Sequence, residues 1–164
     1  MSLTRVIRET DPAIEPISLV RAKEQLRVEH NIDDDLIRSY ISAARDRVDQ
    51  YCNQYFAISD FKLVYVGLSG AEVVELPFPV ESVSTAGLTF DADLNEVTPD
   101  SDWDGTKDLI EVTTADYLPK SIEQAMLLYI ADYYDNRMAQ QDIQLHENRA
   151  AMILMSPYRL SLGI

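Results

Sequence analysis

The chain has 164 residues, 46% of them hydrophobic, which is the size and composition of one compact domain with its own apolar core. Its 28 acidic and 14 basic residues give a formal net charge of −14. Because nucleic-acid binding depends on Lys and Arg side chains that neutralise phosphates, this charge argues against DNA as a high-affinity ligand.

The first predicted element is an N-terminal arm over residues 1–17. It alternates charged and apolar residues and contains no hydrophobic stretch of signal-peptide length, so secretion by that route is not expected. Ser18 then provides an N-cap for a short helix through Val28, which opens a helical region predicted over residues 18–60.

A long helix is predicted from Leu36 to about Tyr55. The acidic residues Asp33 to Asp35 supply N-cap carboxylates at its positive end. Apolar residues recur along it at three- and four-residue steps, which predicts one broad buried face. The residues of that face are Leu36, Ile37, Tyr40, Ile41, Ala44, Val48, Tyr51, Cys52 and Tyr55.

The polar residues of the same helix are expected on the opposite, exposed side. They are Arg38, Arg45, Arg47 and Asp49. Cys52, the lone cysteine, cannot form an internal disulfide, and its place on the apolar stripe indicates a buried small side chain. A lone buried thiol fits a reducing, cytoplasmic compartment.

Residues 61–118 are predicted to form a β insertion that carries most of the acidity, with 12 acidic and 2 basic residues and a net charge of −10. The segments 61–66 and 73–76 have strand-like composition and predict a hairpin. Pro77 and Pro79 then exclude a central strand, before extended character resumes over 83–90 and again over 109–113.

Pro119 suits the first turn of a second long helix, predicted over residues 119–138. The remaining residues, 139–164, are predicted as a C-terminal tail with a shorter helix from Glu147 to Met155. The longest apolar run, 125–131, is too short to cross a bilayer, so no membrane partner is expected. Together the elements predict a single α+β domain, mainly α, in which two long helices carry the core and a small acidic β insertion separates them.

Several segments, in this order and spacing, resemble the head-tail connector (adaptor) proteins of tailed bacteriophages. The segments 22–28 and 41–48 are similar to the paired N-terminal helices of that family, and 76–83 is similar to its proline-marked entry into the β portion. The segment 118–137 resembles its last long helix, and Pro157-Tyr158-Arg159 matches its closing motif. The resemblance covers most of the chain.

The resemblance implies a structural protein and not an enzyme. It implies a homo-oligomeric ring, with a dodecamer as one candidate, seated beneath the portal protein and linked to a stopper or tail-completion protein. DNA would pass through the ring without specific binding. The resemblance places such a protein in the virion neck, and in the host cytoplasm during assembly.

Five residues near the C-terminal end are candidates for contacts between subunits. Tyrosine is amphipathic and favoured at interfaces, and arginine can form bidentate pairs with the carboxylates of a neighbour. The candidates are Tyr133, Tyr134, Arg137, Tyr158 and Arg159. For the two arginines an ion pair within the chain is an equal alternative, and the tail could dock on its own chain or on a neighbour.

Two alternative functions follow from the acidity. Asp100, Asp102, Asp104 and Glu111, with Gly105 between them, match the pattern of a calcium-binding loop. Pro99 precedes this segment and Leu109 to Thr113 after it has extended character, so the helices that flank such a calcium loop are missing. A solvated acidic hairpin loop is the favoured interpretation, and no cofactor or metal is predicted. A DNA-mimicking protein that binds a basic partner is the other alternative.

Overall fold

The computed structural model describes residues 2–66, 73–100, 109–136 and 148–160. Contacts divide the chain into two compact units, a β unit containing Met1–Ile14 and Tyr55–Tyr117 and a helical unit containing Glu15–Gln54 and Leu118–Ser161. Across the described ranges the fold is mixed, with four α-helices and two antiparallel sheets. The prediction that the chain is a single domain stays a prediction.

The helices belong to the helical unit. Their bounds are α1 Leu19–Leu26, α2 Asp34–Cys52, α3 Lys120–Asp135 and α4 Arg149–Met155. The predicted N-cap of α1 is confirmed, since the Ser18 hydroxyl accepts a hydrogen bond from the Arg21 amide at 3.2 Å. Helix α1 ends at Arg27, whose left-handed backbone (φ 56°) directs the amides of Arg27 and Val28 back to carbonyls of the last turn.

Helices α2 and α3 pack against each other through their apolar faces. The predicted stripe of α2 is confirmed for five residues: Ile37, Ile41, Ala44, Val48 and Cys52 are all buried. The buried residues of α3 are Ile122, Ala125, Met126, Leu127, Tyr129 and Ile130. Both helices therefore contribute directly to the core of the helical unit.

The expectation that Arg45 and Asp49 lie on the exposed side of α2 is wrong. Arg45 is 1% exposed and Asp49 is 4% exposed. Each follows a buried residue by four positions, Ile41 or Arg45, so helical geometry places both on the buried face. The Arg45 guanidinium is paired there with Glu15, whose carboxylate oxygens lie 2.8 Å from Nε and 3.3 Å from Nη2.

The β unit contains two antiparallel sheets. The strands are β1 Ser2–Arg8, β2 Asp60–Val66, β3 Val74–Glu75, β4 Val80–Val83, β5 Leu88–Asp91, β6 Glu96–Pro99 and β7 Leu109–Thr114. The four-stranded sheet has the order β1-β2-β7-β4, and the three-stranded sheet has the order β3-β6-β5. The strand predicted over 109–113 is confirmed as β7, an inner strand of the larger sheet.

The predicted hairpin between segments 61–66 and 73–76 is wrong. Strand β2 pairs with β1 on one side and β7 on the other, whereas β3 pairs with β6. Strand length explains why β2 does not pair with β3. The seven residues of β2 pair along most of their length with β1, which has seven residues, and with β7, which has six. Strand β3 has two residues and stops before Pro77, which lacks an amide for a ladder.

Strand β1 lies within the segment that the sequence analysis treats as an arm. A strand signal is present there in the composition, because Thr4, Val6 and Ile7 are β-branched. The strand is completed by an aromatic contact at its end, where the Arg8 guanidinium lies 5.1 Å from the ring centre of Tyr55 and 5.4 Å from that of Phe61. These contacts attach β1 to the core of the β unit.

Asn95 organises the proline-rich segment of the β unit. Its backbone is left-handed (φ 55°), and its side-chain amide donates hydrogen bonds to the carbonyls of Leu76 at 3.2 Å and Phe78 at 2.9 Å. Its side-chain oxygen accepts a hydrogen bond from the Val80 amide at 3.0 Å. One side chain thus satisfies three backbone groups around Pro77 and Pro79, which form no regular ladder themselves.

Candidate assembly surface

Tyr133 lies in an aromatic cluster formed by α2 and α3. Its ring centre is 6.0 Å from that of Tyr40 and 6.3 Å from that of Tyr129. Burial raises the pKa of Tyr133, with a smaller opposing effect from Arg47. The ring is half-buried, so it joins the core of the helical unit and keeps part of its surface accessible.

Tyr134 connects the end of α3 to the start of α2. Its hydroxyl donates a hydrogen bond to Asp33 Oδ2 at 2.7 Å. The sequence predicts N-capping of α2 by the carboxylates of residues 33 to 35, but Asp33, the residue at the N-cap position, makes no side-chain capping hydrogen bond. Asp34, in the first turn, instead pairs with Lys23 at 2.7 Å.

The C-terminal segment docks on the end of α2 within the same unit. The Leu160 amide donates to the Cys52 carbonyl at 2.8 Å, and the Asn53 side chain donates to the Leu160 carbonyl at 2.9 Å. The Gln54 side chain also donates to the carbonyl of Tyr158. Of the two possibilities left open by the sequence, these contacts show docking on its own chain.

Arg159 combines an intrachain contact with exposure. Its guanidinium carbon lies 5.4 Å from the ring centre of Tyr51, and the side chain as a whole is exposed. Tyr158 is half-buried beside it in a short 3-10 turn over Ser156–Tyr158. A cation over an aromatic face retains its charge, so Arg159 stays available to a carboxylate of another protein.

The structure does not bring the interface candidates into one cluster. Tyr133 and Tyr134 contact residues near the start of α2, and Tyr158 and Arg159 contact its end. Asp33 and Asn53 are twenty positions apart, a separation of about 30 Å along a helix. Arg137 lies outside the described residues. The role of all five in subunit contacts stays a prediction.

Cys52 provides a probe of this C-terminal docking. Its thiol is buried and lies 3.8 Å from the Met155 carbonyl. Burial, reinforced by the nearby charge of Asp49, raises its pKa from 9.0 to about 12. We therefore expect the folded chain to react with a thiol reagent at pH 8 on the order of a thousandfold more slowly than the chain in urea.

The reactivity can be followed by absorbance with an aromatic disulfide reagent. The variant Asn53→Ala, which loses the hydrogen bond to the Leu160 carbonyl, should loosen the covering segment and raise the rate. Asn136→Ala, which removes a side-chain bond to the Asp132 carbonyl at the end of α3, is the matched control. Fast reaction of the wild-type folded chain would contradict a docked C-terminal segment.

Two of the four calcium candidates fall on described residues. The Asp100 amide donates to the Gly87 carbonyl at 2.9 Å, and the Glu111 carboxylate lies 3.5 Å from the Lys62 ammonium group. Asp102 and Asp104 lie outside the described residues. Within the described ranges, His, Cys, Asp and Glu do not form a group of three or more that could hold a metal.

Strands flank the acidic segment, since β6 ends at Pro99 and β7 begins at Leu109. The hairpin predicted there is wrong, because β6 and β7 belong to different sheets. In the part of the chain that the structure describes, none of the helices is both long and apolar enough to cross a bilayer.

Part of the chain resembles phage connectors in sequence. Residues 16–86 match the family described as "Phage gp6-like head-tail connector protein". This range contains α1, α2 and strands β2 to β4, and the match confirms the resemblance predicted from the sequence. Among curated proteins, no significant match is found.

Solved structures of gene transfer agent (GTA) particles share the fold. A chain from "Neck of empty GTA particle computed with C6 symmetry" has a TM-score of 0.69 and 18% sequence identity, with 96% of each chain covered. A chain from "Neck of native GTA particle computed with C12 symmetry" has a TM-score of 0.68 and 17% sequence identity. A chain from "Virion of native gene transfer agent (GTA) particle" has a TM-score of 0.67 and 17% sequence identity. Each of these two matches also covers 96% of both chains.

Proposed function

We propose that this chain is a structural subunit of a head-tail connector, assembled as a ring in the neck of a virus-like particle. The family match over residues 16–86 carries the proposal. The shared fold with chains from GTA neck structures, over 96% of the length, supports it. The role is structural and requires no catalytic group.

A ring is supported by the cyclic symmetry named for two of the neck structures, C6 and C12. Identical subunits that use two different surfaces for contact close into a ring when the rotation between them divides a full turn. We further propose that the packed pair α2 and α3 is the rigid scaffold of each subunit and that the acidic β portion is an insertion on it.

The charge distribution suits a channel for DNA. The described span 73–100 contains no Lys or Arg, while its acidic residues are Glu75, Glu81, Asp91, Asp93, Glu96 and Asp100. All of these except Glu96 are exposed. A surface of this charge repels phosphates and releases no counterions to them, so DNA facing it would pass without being held.

Two partners follow from a position in the neck. We propose that one face of the ring binds the portal protein and that the other face binds a stopper or tail-completion protein. The exposed Arg159 and the half-buried Tyr158 are candidates for one of these contacts. Assembly would take place in the host cytoplasm.

Co-assembly with the portal protein of the same particle tests the proposal. Purified chain and portal rings are mixed and separated by size exclusion with light scattering. We expect the chain to join the portal peak as a ring, and electron microscopy to show a second ring beneath the portal. Arg159→Glu should reduce this binding at least tenfold, while Arg149→Glu, another exposed arginine of the same unit, should leave it unchanged.

Calcium separates the connector role from the alternative of a calcium-binding module. The same mixtures are prepared with calcium and with a chelator, and thermal unfolding of the free chain is recorded in both. The connector proposal predicts equal binding and equal midpoints. Absence of rings with and without portal, together with a calcium-dependent rise in the midpoint, would refute it.

A further inference from the structure

Among the described strands, β1 lies at the edge of the four-stranded sheet. Its one neighbour among the described strands is β2. The Glu9 amide donates a hydrogen bond to the Asp60 carbonyl at 2.9 Å. Counting back along β1 from Glu9 in the antiparallel register, residues that hydrogen-bond to β2 alternate with residues whose backbone groups face away from it. By this alternation the amide and carbonyl of Val6 point away from β2. An edge of this kind can accept another strand.

The charge on this edge selects against pairing between two copies of β1. Arg5 is exposed, and Ser2–Arg8 contains two arginines and no acidic residue. Antiparallel pairing of β1 with itself would place like charges on neighbouring strands and would close a pair of subunits instead of a ring. The partner strand should therefore be acidic and should lie elsewhere on the chain.

Among the described strands, β5 is the edge that fits. Strand β3 has two residues, and the outward amide of Val80 in β4 is already bonded to Asn95 Oδ1 at 3.0 Å. Strand β5 pairs in regular register with β6. The hydrogen bond from the Asp100 amide to the Gly87 carbonyl shows which residues of β5 face β6 and which face away from it. The amides of Leu88 and Phe90 then point outward.

Strand β5 also has the complementary charge. It ends in Asp91, and Asp93 follows in the adjoining turn; both are exposed. Opposite charges on adjacent strands stabilise their pairing, whereas like charges would destabilise pairing of β1 with β1 or of β5 with β5. An open basic edge and an open acidic edge on one subunit give two different surfaces that match each other.

We propose that β1 of one copy adds to the edge strand β5 of the next copy, so that neighbouring subunits are joined by a continuous backbone ladder around the ring. This inference rests on the proposed ring function and identifies the surfaces that form it. Because the two surfaces differ, each copy would use β1 toward one neighbour and β5 toward the other.

Proline substitution tests the ladder without removing a hydrogen bond of the subunit. Val6→Pro deletes an outward amide, and proline is tolerated on an edge strand whose amide faces solvent. We expect this variant to keep its circular dichroism spectrum and to lose the ring peak in native mass spectrometry, with or without portal. Val83→Pro deletes an outward amide on β4 and should retain the ring peak.

A charge test addresses β5. Asp91→Asn combined with Asp93→Asn removes two charges, while the side-chain oxygen of the asparagine introduced by Asp91→Asn still accepts the turn amides that Asp91 now binds at 3.0 and 3.1 Å. We expect rings of this variant to dissociate at least tenfold more readily in low salt. Hydrogen exchange of the Val6 amide should be slow in wild-type rings and fast in dissociated subunits.

The possible outcomes separate the two proposals. Wild-type chain that forms no ring, alone or on the portal, would contradict the proposed function. Rings that persist in Val6→Pro would overturn the strand addition and leave the connector function standing. Loss of portal binding by Val6→Pro with intact rings would also overturn it, because the occupant of the β1 edge would then be the portal.

Discussion

Replacing Asn95 by alanine is expected to lower the free energy of unfolding by about 3–5 kcal/mol, because three partly buried backbone groups lose their partner at once and alanine is unfavourable in the left-handed region. The groups are the carbonyls of Leu76 and Phe78 and the amide of Val80. Urea unfolding followed by the circular dichroism of the strands measures the change.

The variant Asn95→Gly separates the two contributions. Glycine adopts the φ of 55° at little steric cost, so this variant loses the side-chain hydrogen bonds alone. We expect it to be about 1 kcal/mol more stable than Asn95→Ala. A loss below about 1 kcal/mol in Asn95→Ala would mean that Pro77 and Pro79 hold the segment without this side chain.

The position of Asn95 also matters for assembly. It orders the segment Leu76–Val80, which lies in the range matched by the connector family, and its side chain closes the outer edge of β4 at Val80. Asn95→Ala would uncover that amide and leave β4 with a second outward amide that has no partner within the sheet, in addition to that of Val83. We therefore expect the variant to aggregate at concentrations at which wild-type chain assembles.

The helices were the most predictable part of the fold. In α2, Ile37, Ile41 and Ala44 follow the period of a helix, and all are buried as expected. Local signals also located the start of α1 at Ser18 and the strand over 109–113. These features depend on residues within one or two turns of each other, which a sequence displays directly.

Strand partners were not predictable from the same signals. The composition of β2 predicts a strand but does not identify its partners. Strand β2 begins at Asp60, whereas its partners begin at Ser2, 58 residues earlier, and at Leu109, 49 residues later. A period-two pattern identifies a face of a sheet and carries no information about which strand is adjacent. The hairpin prediction failed because it assumed the nearest strand in sequence.

The candidate interface residues show a related limit. Their chemistry could be identified in the sequence, but the distance between the two pairs follows from packing of α3 and the C-terminal segment at opposite ends of α2. The open edge at Arg5 could not be proposed before β1 was known to be a strand at the border of a sheet. Such surfaces become visible only when tertiary neighbours are known.

The buried position of Arg45 leads to the second large expected effect. The variant Glu15→Ala should lower the free energy of unfolding by about 3 kcal/mol, since removing one partner of a buried ion pair leaves the other charge without compensation. The Arg45 side chain is 2% exposed and that of Glu15 is 31% exposed. This expected loss lies at the lower end of the range for breaking a buried ion pair, because Asp46 Oδ1 remains 3.0 Å from Arg45 Nη1.

A double-mutant cycle distinguishes loss of the pair from loss of packing. Arg45→Met keeps an apolar side chain of similar length on the buried face, so combining it with Glu15→Ala should restore most of the stability lost by Glu15→Ala alone. Asp35→Ala is the matched control, because its pair with Arg38 at 2.8 Å is exposed and should contribute less than about 0.5 kcal/mol. If Glu15→Ala proved as mild as Asp35→Ala, the Arg45 charge would have to be compensated by Asp46 and the Ser42 hydroxyl, which lies 3.0 Å from its Nη2.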